Sequence, residues 1–249
     1  MELYGIIGNP LKQSFSQKYF TEFFGKTGRD ARYSLFYLES IKDFPALVKE
    51  YPEMIGLNVT IPYKQQVIPY LDTLDESAFA IGAVNVIRIS HQDGRVFLSG
   101  HNSDFIGFRD SIKPLLRPHH RKALILGTGG ASKAVDYALR QLGIETTFVS
   151  RTPATGQLAY GQLDQNIMQE YTIVVNTTPL GMFPDVDSCA DIPYQLLGER
   201  HLCYDVVYNP EKTLFLQKAE EQGATIKNGL EMLYLQAQEA WKIWNPDEL

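Results

Sequence analysis

The run Ala123-Leu-Ile-Leu-Gly-Thr-Gly-Gly-Ala-Ser-Lys-Ala-Val135 constrains the fold of this chain more than any other, because it passes from an apolar strand through a glycine turn into a helix start. That order is what a dinucleotide-binding βα unit requires. Gly127 permits the tight turn, and Gly129 and Gly130 let the backbone come close to a pyrophosphate. The free N–H groups and dipole of a helix beginning near Ala131 would stabilise its charge. Thr128 lies inside the turn, and Ser132 stands where the general fingerprint has its third glycine. An ordinary βα turn can carry the same glycines, so the next strand has to decide.

That strand ends at Thr147-Phe-Val-Ser-Arg-Thr152. An NAD-binding unit carries an acidic residue here for the ribose hydroxyls. Arg151 takes its place, and a guanidinium binds or stacks over the extra phosphate of NADP, with Ser150 and Thr152 adding hydroxyls. NADP is therefore favoured over NAD. Two further parallel strands are read at Ile173-Val-Val-Asn-Thr-Thr-Pro-Leu-Gly-Met182 and Cys203-Tyr-Asp-Val-Val-Tyr208, and both should end facing the cofactor crevice.

Upstream, apolar runs alternate with amphipathic stretches, the pattern of βα units and a mainly parallel sheet. Strands are expected at Leu3–Ile7, Tyr33–Leu38, Ile55–Val59 and Val84–Ile89, with a hairpin turn at Gln92-Asp-Gly-Arg95 returning through Val96–Leu98. A helix is predicted from Asp104 to Leu116, and the proline-broken Arg117-Pro-His-His-Arg-Lys122 reads as a linker, with His119 and His120 solvated. The fold class is α/β. The 249 residues are 44% hydrophobic, enough for one large or two moderate cores, and a net charge of -6 leaves no electrostatic footprint for nucleic acid or an anionic membrane. A small metabolite is the expected ligand. The chain shows no secretory or membrane-spanning pattern, so a cytoplasmic protein is expected. Cys189 and Cys203 lack zinc or disulfide spacing, so no metal is expected.

Gly56-Leu-Asn-Val-Thr-Ile-Pro-Tyr-Lys64 places an amide, a hydroxyl and an amine on the residues leaving an apolar strand, where α/β sheets bind ligands. Taken alone, it is equally a strand entering a turn with Lys64 as a surface lysine. Near the C-terminus, Asn228 to Trp244 is strongly helical, with Leu230, Leu233, Ala237 and Trp241 at helical spacing.

Together these segments resemble the shikimate dehydrogenase family. Gly8-Asn-Pro-Leu-Lys-Gln-Ser-Phe-Ser-Gln17 keeps both serines of the family's opening motif but has Gln13 for its histidine and Gln17 for its final proline. Asn58 to Lys64, Gly82 to Asn85 and Gly100 to Asp104 match further motifs, as do Gly127 to Ala131 and Ser150 to Thr152. A second basic residue often found shortly after is replaced by Thr155. The resemblance implies reversible NADPH-dependent reduction of 3-dehydroshikimate to shikimate, on the way to chorismate and the aromatic amino acids. It assigns catalysis to Lys64 and Asp104, and substrate binding to Ser14, Ser16, Asn58, Thr60, Asn85, Tyr208 and Gln236. Without it, Ser14 and Ser16 read as helix caps. Cofactor contacts are expected from Gly127, Thr128, Gly129, Gly130, Ala131, Ser150, Arg151, Thr152, Thr177, Thr178, Val206 and Gly229, with Glu76 nearby. The expected domains are residues 1–103 with 229–249 for substrate and a Rossmann-type domain, 104–228, for NADP, in a monomer or homodimer. A quinate/shikimate dehydrogenase using NAD or NADP is the nearest alternative; a noncatalytic metabolite sensor is a third reading, opposed by intact Lys64 and Asp104.

Overall fold

The computed structural model describes residues 1–11, 14–92 and 94–248. Gln13 and Asp93, both singled out by motif or turn, lie outside the described residues. The chain forms two compact units, Met1–Ser103 with Ala237–Leu249 and Asp104–Gln236.

In the first unit the elements run β1 (Glu2–Gly8), α1 (Phe15–Thr27), β2 (Ala31–Tyr37), α2 (Phe44–Glu50), β3 (Met54–Val59), α3 (Tyr63–Gln66), β4 (Thr73–Leu74), α4 (Glu76–Ile81), β5 (Val86–Gln92) and β6 (Arg95–His101). They build a six-stranded sheet in the order β2-β1-β3-β5-β6-β4. β1 pairs in parallel with β2 and β3, while β5 runs antiparallel to both β3 and β6. β1 is buried from Leu3 to Gly8, so both of its faces need apolar cover. Alternation supplies it. Leu3 and Ile7 join a core with Phe44, Leu57 and Ile87, whereas Tyr4 and Ile6 join Phe20, Phe24, Tyr33, Ala237, Ala240 and Trp244.

The second cluster is largely aromatic. Tyr33 stacks on Phe20 with centroids 5.1 Å apart and 10° between planes, and Trp244 tilts against Phe20 at 5.1 Å. Trp244 also donates its indole N–H to the Ile87 carbonyl at 3.0 Å. Around the cluster's rim, Arg29 lies over the Trp241 ring at 4.8 Å while gripping the Glu2 carboxylate at 2.7 and 3.0 Å.

The second unit contains α5 (Asp104–Ile112), β7 (Lys122–Leu126), α6 (Gly130–Gln141), β8 (Glu145–Ser150), β9 (Leu158–Ala159), α7 (Gln165–Glu170), β10 (Ile173–Asn176), β11 (Leu202–Asp205), α8 (Leu214–Glu221), β12 (Thr225–Lys227) and the first turns of α9 (Leu230–Trp244). Its sheet, β12-β11-β10-β7-β8-β9, is parallel throughout. Strand order reverses beside β7, which puts the topological switch point between β7 and β10. Both inner strands are buried along nearly their whole length.

Two local expectations are corrected. The helix from Asp104 stops at Ile112 and tightens into a 3₁₀ turn over Lys113–Leu115, because Pro114 has no N–H to continue the α ladder. Residues 117–122 fall inside the second unit, and His120 is buried rather than solvated. Its Nδ1 accepts the Arg117 N–H at 3.0 Å and its Nε2 faces the Arg200 carbonyl at 3.2 Å, so the turn has satisfied polar groups without water. Burial holds the His120 pKa below its ordinary value.

Asp205, the last residue of β11, is fully buried yet receives three donors: Asn176 Nδ2 at 3.0 Å, Val207 N–H at 3.0 Å and the Thr213 hydroxyl at 2.6 Å. Burial nevertheless dominates and pushes its pKa from 3.8 to about 6. A raised carboxyl pKa means that the folded state binds the extra proton. Stability from this group is therefore greatest below its unfolded pKa and declines as pH rises through about 6.

This packing leads to two expectations for variants. A Cβ at Gly56 would overlap the Trp244 indole; Gly56→Ala should therefore cost about 1–3 kcal/mol by overpacking, read as a lower urea midpoint. For Asp205→Asn, which cannot ionise, the stability deficit relative to the parent should shrink as pH rises from about 4 to about 6 and then level off. Parallel denaturation curves at several pH values would check this.

Candidate active site

In the first unit the polar residues of interest sit where apolar strands end. Asn58 is the penultimate residue of β3, and Thr60 follows it, donating its N–H to the Ile7 carbonyl of β1 at 3.0 Å. The chain then enters α3, whose Tyr63 is buried and donates its hydroxyl to the Leu38 carbonyl at 2.7 Å. The Lys64 carbonyl accepts the Val84 N–H at 2.7 Å. Lys64 thus leaves from a backbone pinned on both sides, which limits where its amine can reach.

Asn58 and Asn85 are 4% and 3% exposed, and their partners fix their orientations. The Asn85 carbonyl can only accept, so the Asn58 edge facing it at 3.3 Å is Nδ2 and the opposite edge is Oδ1. Tyr33 donates to that Oδ1 at 2.6 Å. Having given its one proton, Tyr33 receives its bond from Ser16. Burial pushes the Tyr33 hydroxyl well above its ordinary pKa, so it remains a phenol. Asn85 in turn donates to the Ser103 hydroxyl at 3.0 Å and accepts the Ser103 N–H at 2.7 Å. Ser16, Asn58 and Asn85 therefore belong to one hydrogen-bond chain whose organising member, Tyr33, escaped the sequence reading as a mere strand residue. Its only signal was a phenol in a buried strand, where a hydroxyl needs a partner.

Ser14 and Ser16 differ in role. Ser14 is the N-cap of α1 and accepts the Gln17 N–H at 3.4 Å, while Ser16 points to Tyr33 and is buried. Glu76 opens α4 behind the Asp75 cap and is exposed. A carboxylate suits that first turn electrostatically.

In the second unit the turn after β7 has Gly127 at φ +102°, a conformation that L side chains rarely adopt, and a Cβ there would meet Thr177 Oγ1 at 3.0 Å. Thr128 and Gly129 are exposed, and α6 starts behind Gly129 without a side-chain cap. The first N–H groups of α6, from Gly130 and Ala131, are thereby available to an anion. Ser132, at the third glycine position, is buried and donates to the Gly129 carbonyl at 2.7 Å, tightening the turn. At the end of β8, Ser150 accepts the Thr152 N–H at 3.2 Å, and Arg151 and Thr152 are exposed.

Beside this turn, Thr177 donates to the Leu126 carbonyl and Thr178 to Asn176 Oδ1, each at 2.6 Å. Both hydroxyl protons are committed to holding the β10 loop. Val206 donates its N–H to the Asn176 carbonyl at 3.0 Å, and Gly229 lies so close to the Val206 carbonyl that no Cβ would fit. Tyr208 is 39% exposed beyond β11. Asp104 and Gln236 are buried, Asp104 as the first residue of α5 and Gln236 on α9 with its amide donated to the Leu233 carbonyl at 3.0 Å. Asn176 and Asp205, which brace these loops, were not singled out from sequence beyond their strands. Among the described residues no group of three or more His, Cys, Asp or Glu side chains could hold a metal ion, and no helix is long and apolar enough to cross a membrane.

Comparison with known proteins agrees with this arrangement of segments. A profile for the shikimate dehydrogenase substrate binding domain matches residues 6–87. A Staphylococcus aureus protein named shikimate dehydrogenase (NADP(+)) is 38% identical over 97% of this chain and 91% of its own length. The crystal structure of shikimate dehydrogenase from Aquifex aeolicus superposes with a TM-score of 0.85 at 33% identity, covering 100% of this chain and 94% of that one. The Thermus thermophilus shikimate 5-dehydrogenase, crystallised with NADP(H) and shikimate, gives a TM-score of 0.85 at 30% identity over 99% of this chain and 94% of its own. On these grounds the chain belongs to the shikimate dehydrogenase family.

Proposed function

We propose that this chain catalyses the reversible NADPH-dependent reduction of 3-dehydroshikimate to shikimate. The observation that carries the reading is similarity over nearly the whole chain to proteins named shikimate dehydrogenase (NADP(+)). The residues needed for the two halves of the task are present in both units.

The Gly127–Ala131 turn, exposed at Thr128 and Gly129 and with uncapped N–H groups at the start of α6, fits a pyrophosphate, and Arg151 with Ser150 and Thr152 fits a ribose phosphate. NADPH, when bound there, supplies the hydride. Thr177, Thr178, Val206 and Gly229 shape the cofactor side of the site, the two threonines through their methyl groups and lone pairs, with Glu76 a further contact from the first unit. In this reading residues 1–103 with 229–249 serve the substrate and 104–228 the cofactor.

A ketone that becomes an alcohol needs a proton on its oxygen. Lys64 delivers it as an ammonium, and takes it back as an amine in the reverse direction. Asp104 orients that amine and one substrate hydroxyl. Asn58, Thr60, Asn85 and Gln236 bind ring hydroxyls; buried amides discriminate these strongly, because an analogue lacking the hydroxyl leaves them unpaired. Ser14, Ser16 and Tyr208 take the substrate carboxylate. In the hydrogen-bond chain just described Ser16 gives its proton to Tyr33, so Ser16 must turn that proton toward the ligand to serve as a donor.

Following NADP reduction by absorbance with shikimate as substrate tests the assignment. Lys64→Ala should lower kcat by about 10²–10⁴-fold, the usual range for a general acid–base group, with the shikimate KM changed only a few-fold; retained kcat would remove Lys64 from the chemistry. Arg151→Ala should cut kcat/KM for NADP by about tenfold or more, the scale of a charge-assisted hydrogen bond, and leave that for NAD unchanged.

A further inference from the structure

Arg151 has a neighbour whose chemistry the proposed reaction does not yet use. β8 and β9 are parallel, with Val149 opposite Leu158 and Ser150 opposite Ala159. Arg151 and Tyr160 are the residues that directly follow this last pair, Tyr160 opening a 3₁₀ turn over Tyr160–Gln162, at the edge where an α/β sheet receives its ligand. The Tyr160 ring is half-buried and packs against the core that contains Val149, Leu163 and Met168. Burial pushes its hydroxyl pKa up, and the Arg151 guanidinium pulls it back, so the two groups share a field.

No buried side-chain nitrogen or oxygen lacks a partner among the described residues. The Tyr160 hydroxyl makes no hydrogen bond to those residues, so it reaches solvent with its proton to give. From Ser150 to Gln165 the sequence holds one cation, Arg151, and one anion, Asp164. Asp164 is the N-cap of α7 and accepts the Ile167 N–H at 2.9 Å, which directs its charge to the helix start.

A phosphate monoester near neutrality carries close to two charges and three strong acceptor oxygens. One guanidinium fork satisfies two of those acceptors. Ser150, which accepts from Thr152, keeps its own proton for a third contact, but a serine hydroxyl is free to rotate. A tyrosine whose ring is already fixed by packing gives its hydrogen at little further entropic cost.

We propose that Tyr160 donates its hydroxyl hydrogen to the ribose 2′-phosphate of the nicotinamide cofactor, beside Arg151, and thereby helps set the preference for NADP over NAD. This rests on the NADP reading given above. Tyr160→Phe keeps the ring and its packing and deletes only the donor. Dissociation constants for NADPH and NADH, from titration calorimetry on the full chain, separate the readings without any turnover. The expected result is NADPH binding weakened about tenfold with NADH binding unchanged, accompanied by the same loss in the NADP to NAD ratio of kcat/KM. Unchanged NADPH affinity in the variant would overturn the assignment, and so would an equal loss for both dinucleotides, which would mark a ring contact instead. If the parent protein itself bound NADPH and NADH equally, the NADP reading would fail first, and the role of Tyr160 with it.

Discussion

A parallel strand buried on both faces carries polar side chains most cheaply at its ends, because anything polar in its middle is stripped of water and needs a partner from elsewhere in the fold. The rest of this molecule follows from that constraint. Asn58 comes one residue before the end of β3, Ser150 at the end of β8, Asn176 at the end of β10 and Asp205 at the end of β11. Parallel pairing aligns the strand ends throughout the second unit's sheet and among β1, β2 and β3 of the first. Chemistry therefore gathers along one edge of each of these parallel sets, beside residues such as Asn176 and Asp205 that brace the loops there.

The same constraint explains what could be read from the sequence. Apolar runs closed by Asn, Ser or Asp are visible as strings, so the longer strands, the glycine turn at Gly127 and the substitution of an arginine for the usual acidic residue were legible, whereas the two- and three-residue strands β4, β9 and β12 carry no such run and were not. What was not legible depends on partners distant in sequence. Tyr33 becomes informative only when Asn58, 25 residues away, presents its Oδ1. Asp205 becomes informative only with Asn176 and Thr213 around it. His120 looked like a solvated linker residue because nothing nearby in sequence announces the Arg200 carbonyl, 80 residues later. The recruitment of the C-terminal helix into the first unit was expected only through family resemblance, since its helical spacing names no destination.

The polar groups along these edges fall into two sets by where their protons go. Thr177 and Thr178 give theirs to backbone and to Asn176, and so act as struts. Ser14 accepts from the backbone and keeps its proton. Leaving a buried donor or acceptor unmade costs about 1–3 kcal/mol, comparable to a sizeable fraction of a domain's whole stability. A site built from groups already satisfied in its absence is therefore rigid before a ligand arrives, and this preorganisation is what lets hydroxyls and amides discriminate among similar rings.

The placement of Trp244 against Gly56 and Ile87 also matters for how the chain comes into being. The first unit's aromatic core is closed by Ala237, Ala240 and Trp244, whereas the second unit is a single continuous stretch that ends at Gln236. A ribosome releases the whole of the second unit before it releases the residues that seal the first. Synthesis from the N-terminus thus inverts the usual order: the later unit has its full complement of residues earlier, and the sheet of the first must wait, one face covered only by α1, for a helix still to be made.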